Sequence, residues 1–181
     1  MTRCEECGFD WECAGTEAAA EVRGAGKRFV APLTRFLPGE DGDGLVRTRP
    51  EPTVWSALEY AVHMRDALDF YAQRISRVLT EDRPQMHAVG FDAACEERRY
   101  NEEDVARVVA QMSQVSTHLA DLLDTLDDAS WARIGIGSDG DERTVLTLAR
   151  RAAHECHHHL LDVGRGLRRV RAGDGQPPST G

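Results

Sequence analysis

The chain reads as all-α: a four-helix bundle with a cysteine-containing N-terminal extension and a disordered C-terminal tail. Three observations predict this. Four segments carry apolar residues at spacings of three and four, Gly- and Pro-rich breaks separate them, and neither an internal repeat nor a βαβ alternation appears. With 181 residues, the chain is the length of one domain. It divides into an extension over 1–16, a helical bundle over 17–170 and a tail over 171–181.

The first helix is expected over Glu17 to Leu37, broken by Pro32, because proline removes an intrahelical donor and crowds the preceding turn. Pro38-Gly39-Glu40-Asp41-Gly42-Asp43-Gly44 and the stretch Arg47 to Pro52 favour loop geometry. Thr53 can cap a second helix, whose stripe runs through Tyr60, Met64, Leu68, Tyr71, Ile75 and Leu79. Glu81 to Arg99 reads as a long connection. Asn101 can cap a third helix, with Glu102, Glu103 and Asp104 favoured in its first turn by the helix dipole; Val105, Val108, Met112, Val115, Leu119, Leu122 and Leu126 form its stripe. Gly135 to Asp141 is turn-rich, and Thr144 can cap a fourth helix running through Leu167. Gly173 to Gly181 is too polar and too rich in breakers to pack.

A net charge of -9 argues against nucleic acid and anionic membrane, which are bound through clustered basic charge. No run approaches the roughly 18 apolar residues of a membrane span, and Met1-Thr2-Arg3-Cys4-Glu5-Glu6 lacks the apolar run of a secretory signal. A cytoplasmic protein that takes a small-molecule substrate is expected, and a homodimer is compatible with such a bundle.

The chemistry concentrates in His154-Glu155-Cys156-His157-His158-His159. Residues four apart share a helix face, so His154 with His158, or Glu155 with His159, can offer two ligands to one ion. A wheel turning about 100° per residue from Val145 gathers Leu148, Ala149, Ala152, Cys156, Leu160, Val163 and Leu167 into one arc. Glu155 and His159 border that arc at about 280° and 320°, whereas His154 and His158 fall at about 180° and 220°. The first pair points inward, and His63 near the middle of the second helix would be the third ligand. His154 and His158 are the alternates. Three protein ligands leave coordination positions open, the pattern of a catalytic site, and nitrogen and oxygen donors suit Zn, Ni, Fe or Mn better than Ca.

Trp55-x3-Glu59-x3-His63, Arg143-Thr144-Val145-Leu146 and His154-Glu155-x2-His158-His159-Leu160-Leu161-Asp162 resemble the DinB-like superfamily of metal-binding bundles. That superfamily includes the mycothiol-dependent maleylpyruvate isomerases and related thiol S-transferases. The resemblance implies one divalent ion, zinc first among the candidates, held by a histidine of the second helix and two residues of the last. The Glu-x3-His-x2-Asp pattern of the isomerase-like branch carries over onto Glu155, His159 and Asp162; the His-x3-His pattern of other branches carries over onto His154 and His158. It also implies a thiol S-transferase or isomerase acting on a small electrophile, with mycothiol as co-substrate. The other class compatible with these residues is a non-catalytic metal-binding bundle for stress response or redox sensing.

Cys4-Glu5-Glu6-Cys7-Gly8-Phe9 has the form of a zinc knuckle, in which a C-x2-C turn presents two thiolates to one ion. Cys13 is the expected third ligand of this second zinc site. Cys95, His87 and Cys156 are the remaining donors, all distant in sequence. A redox dithiol and an unligated terminal segment are the competing readings, and Cys156, near the centre of the apolar arc, is expected to be a buried, inert thiol.

Overall fold

The structure, a computed structural model, describes residues 2–173. Four long helices form the bundle: α1 (Gly15–Thr34), α3 (Ala57–Thr80), α5 (Val105–Asp124) and α7 (Val145–Arg171). Helix α1 packs against α5 and α7, and α3 packs against the same two. Around the bundle the order is therefore α1, α5, α3, α7, and the connections from α1 to α3 and from α5 to α7 both cross a diagonal. This arrangement sets α3 beside α7. Among the described residues no helix is long and apolar enough to cross a membrane.

The connections hold more structure than their composition suggested. Short helices α2 (Gly42–Arg47), α4 (Phe91–Glu97) and α6 (Asp128–Trp131) interrupt them, and a 3-10 turn spans Tyr100–Glu102. The turn-rich stretch after residue 134 forms a small antiparallel hairpin, β1 (Ile134–Ile136) with β2 (Glu142–Thr144). Just before it, Arg133 donates to the carbonyls of Val78 (2.7 Å) and Glu81 (2.8 Å), satisfying orphan acceptors at the end of α3.

Helix boundaries differ from the expected ones for local reasons. Helix α1 runs unbroken to Thr34 with Pro32 in its last turn, where the missing N–H leaves a carbonyl of the preceding turn without its helical donor just as the helix ends. Ser56, not Thr53, caps α3: its hydroxyl accepts from the Glu59 N–H (3.2 Å), and Glu59 accepts in return from the Ser56 N–H (2.7 Å). Asp104, not Asn101, caps α5, accepting from Arg107 N–H at 2.7 Å. Thr144 caps α7 as the sequence indicates. Helix α7 extends through Arg171, into the first residue of the expected tail; residues 174–181, where disorder was expected, lie outside the described residues.

The core between the helices holds Phe29, Leu58, Met64, Leu68, Ile75, Met112, Leu119, Leu123 and Leu148, all fully buried. Helices α1 and α5 approach closely at Gly26, where a Cβ would lie 2.6 Å from Ser116 Oγ and 2.9 Å from Ser113 Cα. Cys156 is fully buried in this core, and burial pushes its thiol up, as an inert residue requires.

Candidate metal centre

The adjacency of α3 and α7 brings His63, Glu155 and His159 together, with one ligand atom from each within 4.8 Å of the others. Glu155 and His159 are one turn apart on the inward edge of α7, and His63 faces them from the second turn of α3. Glu155 Oε2 lies 3.1 Å from His159 Nε2 and 3.6 Å from His63 Nε2.

The hydrogen-bond inventory separates the two histidines. The His159 Nδ1–H donates to Asp162 Oδ2 at 2.9 Å, which fixes the ring and turns Nε2 toward Glu155 and His63. His63 is 4% exposed, and neither of its ring nitrogens has a hydrogen-bond partner. Such an orphan costs about 1–3 kcal/mol and calls for an explanation. A cation coordinated by Nε2 supplies one, and the donor set of two imidazoles and a carboxylate fits Zn or a neighbouring transition metal.

Charge in the site is arranged around Glu155. Burial opposes its ionisation, but the histidine rings of His159 and His63 outweigh it and hold the carboxyl well below the usual range. Burial likewise opposes the His159 imidazolium; its bonds to Asp162 and Glu155 prevail and raise it to about 9. The folded pKa thus lies above the ordinary 6.5. Its contribution to stability in metal-free protein is complete below about pH 6.5 and is lost as pH rises through about 9. Melting curves of chelator-treated protein should show that loss across this window, and His159→Gln should abolish it. Metal uptake should release a proton over the same range, because the ion must displace the one on Nε2.

A cavity of about 310 Å³ opens onto the triad, lined by Thr53, Trp55, Tyr60, Phe91 and Asp92 as well as the three ligand candidates. Trp55 packs 5.0 Å and Phe91 4.6 Å from the His63 ring, centroid to centroid, and Tyr60 lies 5.1 Å from His159. Burial pushes the Tyr60 phenol up to about 12, with Asp162 adding to the effect, so it stays a hydrogen-bond donor. Beyond Tyr60 and Asp162 a larger groove of about 550 Å³ is lined by Arg165, Arg168 and Arg169. Nothing in the sequence marks Phe91, which reaches the site from a stretch that reads as structureless.

His154 and His158, the alternates for this centre, do not face it. They converge with Cys4 and Cys7 on a neighbouring face of α7, one ligand atom from each lying within 4.8 Å of the rest. Cys13, expected as the third ligand beside Cys4 and Cys7, is outside this group; its carbonyl accepts from Arg150 Nε at 2.8 Å, at the start of α1. The Cys4 thiol is drawn down to about 6, chiefly by the backbone of Cys7 and then by His154, whereas burial pushes Cys7 up.

Comparison with known proteins gives the fold a context. The sequence profile of the DinB superfamily matches residues 30–163. Among solved structures the chain is similar to YfiT from Bacillus subtilis, described as a probable metal-dependent hydrolase with an unusual four-helix bundle topology. The two share 17% identity at a TM-score of 0.78 over 87% of each chain. It is also similar to a mycothiol-dependent maleylpyruvate isomerase, at 11% identity and a TM-score of 0.65, over 84% of this chain and 62% of that one. Among curated proteins, none matches the chain.

Proposed function

The chain belongs to the DinB superfamily, and from that footing we propose that it is a divalent-metal-dependent enzyme that transfers or isomerises through a thiol of the mycothiol type, acting on a small electrophile. One observation carries the metal: a buried His63 with both ring nitrogens unpartnered, facing Glu155 and His159. His63, Glu155 and His159 would hold the ion. When bound, a divalent ion with an open position lowers the pKa of a thiol or water placed there.

The remaining roles belong to this chain's own side chains. Asp162 keeps the His159 ring oriented through Nδ1. Trp55, Tyr60 and Phe91 line the cavity with ring faces and edges, excluding water and packing against an apolar part of the substrate. Arg165, Arg168 and Arg169 line the adjoining groove; Arg165 pairs with Glu6 and Arg169 with Glu51, so Arg168 is the guanidinium best placed to meet an electrophile that carries carboxylates. The chain's overall negative charge makes this local arginine cluster the favourable entry for an anion.

The test is product formation by the zinc-loaded protein in the presence of mycothiol and an unsaturated dicarboxylate or activated haloarene, with thiol consumed in conjugation and returned in isomerisation. Formation of an S-conjugate or isomerised product, dependent on both metal and thiol, is the expected result. Hydrolysis of an ester at a rate indifferent to thiol would replace this reading with a hydrolase. No turnover of either kind by fully metal-loaded protein would point to the non-catalytic bundle.

A further inference from the structure

A neighbouring face of α7, about 100° round the helix, carries a second constellation, Cys4, Cys7, His154 and His158, that the proposed catalytic centre does not use. The N-terminal extension folds back on itself through a pair of bonds: the Cys4 N–H donates to the Phe9 carbonyl and the Gly8 N–H to the Cys4 carbonyl, both at 2.9 Å. Gly8 has φ +75°, the left-handed conformation that lets so tight a turn close. Arg3 pairs with Asp10 across this turn in an antiparallel bridge. The result is a knuckle whose two thiols project from one end.

That knuckle is seated on α7. Phe9 is buried, with its ring 5.6 Å from that of His154 and 6.1 Å from that of His157, and Trp11 stacks on His154 at 4.3 Å. The His157 Nε2–H donates to the Cys7 carbonyl at 3.0 Å, and Arg150 donates to the carbonyls of Glu12 (3.0 Å) and Cys13 (2.8 Å). Together these contacts hold the knuckle against the face of α7 that carries His154 and His158, where one ligand atom from each of the four residues lies within 4.8 Å of the others.

We propose that Cys4, Cys7, His154 and His158 form a structural zinc site that fastens the N-terminal extension to α7. A tetrahedron with Zn–S of about 2.3 Å and Zn–N of about 2.0 Å has edges of about 3.3–3.8 Å. Cys4 Sγ already lies 3.8 Å from His158 Nδ1. His154 Nε2 is buried and has no hydrogen-bond partner, the same mark that distinguishes His63. The outer nitrogen of His158 faces carboxylates, with Nε2 3.7 Å from Asp162 and 3.8 Å from Glu6, the surroundings that orient a ligating imidazole. Two thiolates neutralise the ion, so closing the site leaves no net charge on the half-buried group. Four protein ligands leave no open position, which makes this site structural in the sense that the bundle triad is not.

This inference stands apart from the proposed catalysis, and its readout does too. The full chain, without a histidine tag, would be analysed for zinc and then exchanged with cobalt. Wild-type protein should hold about two zinc ions and, with cobalt, show an intense near-ultraviolet thiolate-to-metal charge-transfer band alongside the visible bands of a tetrahedral site. His63→Leu should keep that band and lose about half the zinc. Cys4→Ser/Cys7→Ser should lose the band and, again, about half the zinc. A cobalt-loaded wild type without the charge-transfer band would overturn the proposal with no variant needed. So would a cysteine double variant with undiminished zinc, or a Cys4–Cys7 disulfide in protein prepared under reducing conditions.

Discussion

Replacing His63 by leucine should abolish binding of the divalent ion proposed for the site between α3 and α7 while leaving the metal-free bundle as stable as before, or more so. Partners that merely hydrogen-bond a metal ligand are worth about 10–100-fold in affinity or activity, so losing the ligand itself should cost more than about 100-fold in both. The stability half of this prediction rests on the two unpartnered ring nitrogens. Burying an unsatisfied imidazole is unfavourable, and an apolar side chain of similar volume against Trp55 and Phe91 relieves a penalty of about 1 kcal/mol or more. Chemical denaturation of chelator-treated proteins, wild type against His63→Leu, measures this difference. A histidine kept for packing alone would give the opposite pattern, with unchanged metal content and a destabilised variant.

The largest stability effect away from the metal should come from Arg49→Ala. Glu59 is 3% exposed, and its carboxylate is clamped by Arg49 through Nε to Oε2 (2.8 Å) and Nη2 to Oε1 (2.6 Å). The Ser56 N–H and the Cys95 thiol are its other neighbours, at 2.7 and 3.7 Å. Removing the guanidinium strands a buried charge, which costs about 3–5 kcal/mol where burial is complete; Arg49 is a quarter exposed, so water trims this to about 2–4. For a domain of this size that is a fall in Tm of about 4–16 °C. The double variant Arg49→Met/Glu59→Gln should recover most of it, since neither residue then carries a charge. Glu59 stands one helical turn before His63, so the clamp also fixes where α3 begins and the setting from which His63 projects.

That role explains a residue whose place in the Trp55-x3-Glu59-x3-His63 pattern suggests chemistry but whose surroundings make it architectural. The inward pairing of Glu155 and His159 with His63 was readable from spacing because the apolar stripe of α7 is strong and uninterrupted, and a wheel needs nothing more. What the wheel could not read was the other side. His154 and His158 fall away from the apolar arc, which in sequence terms means solvent. In the structure that side is covered by residues nearly 150 positions earlier, and no local pattern in Cys4-x2-Cys7 says which distant helix completes it. The diagonal connections were hidden for a related reason: loop length and composition constrain distance but not which neighbour a helix chooses. Helix α4 and the Ile134–Thr144 hairpin are too short to impose a period of their own, and their positions depend on tertiary bonds such as Arg133 to the end of α3.

The two candidate ligand pairs on α7, His154/His158 and Glu155/His159, are copies of one spacing displaced by a single residue, about 100° of rotation. A helix rolled by that angle would present the wrong pair to each side. What holds the roll angle is Val145, Leu148, Ala149, Ala152, Cys156 and Val163, all buried and none of them a donor in either cluster. The identity of each site is thus written in side chains that touch no ion. A bulky replacement at Ala152 or Cys156 would act as a mistuned gear, turning both clusters out of mesh at once while leaving each ligand in place in the sequence.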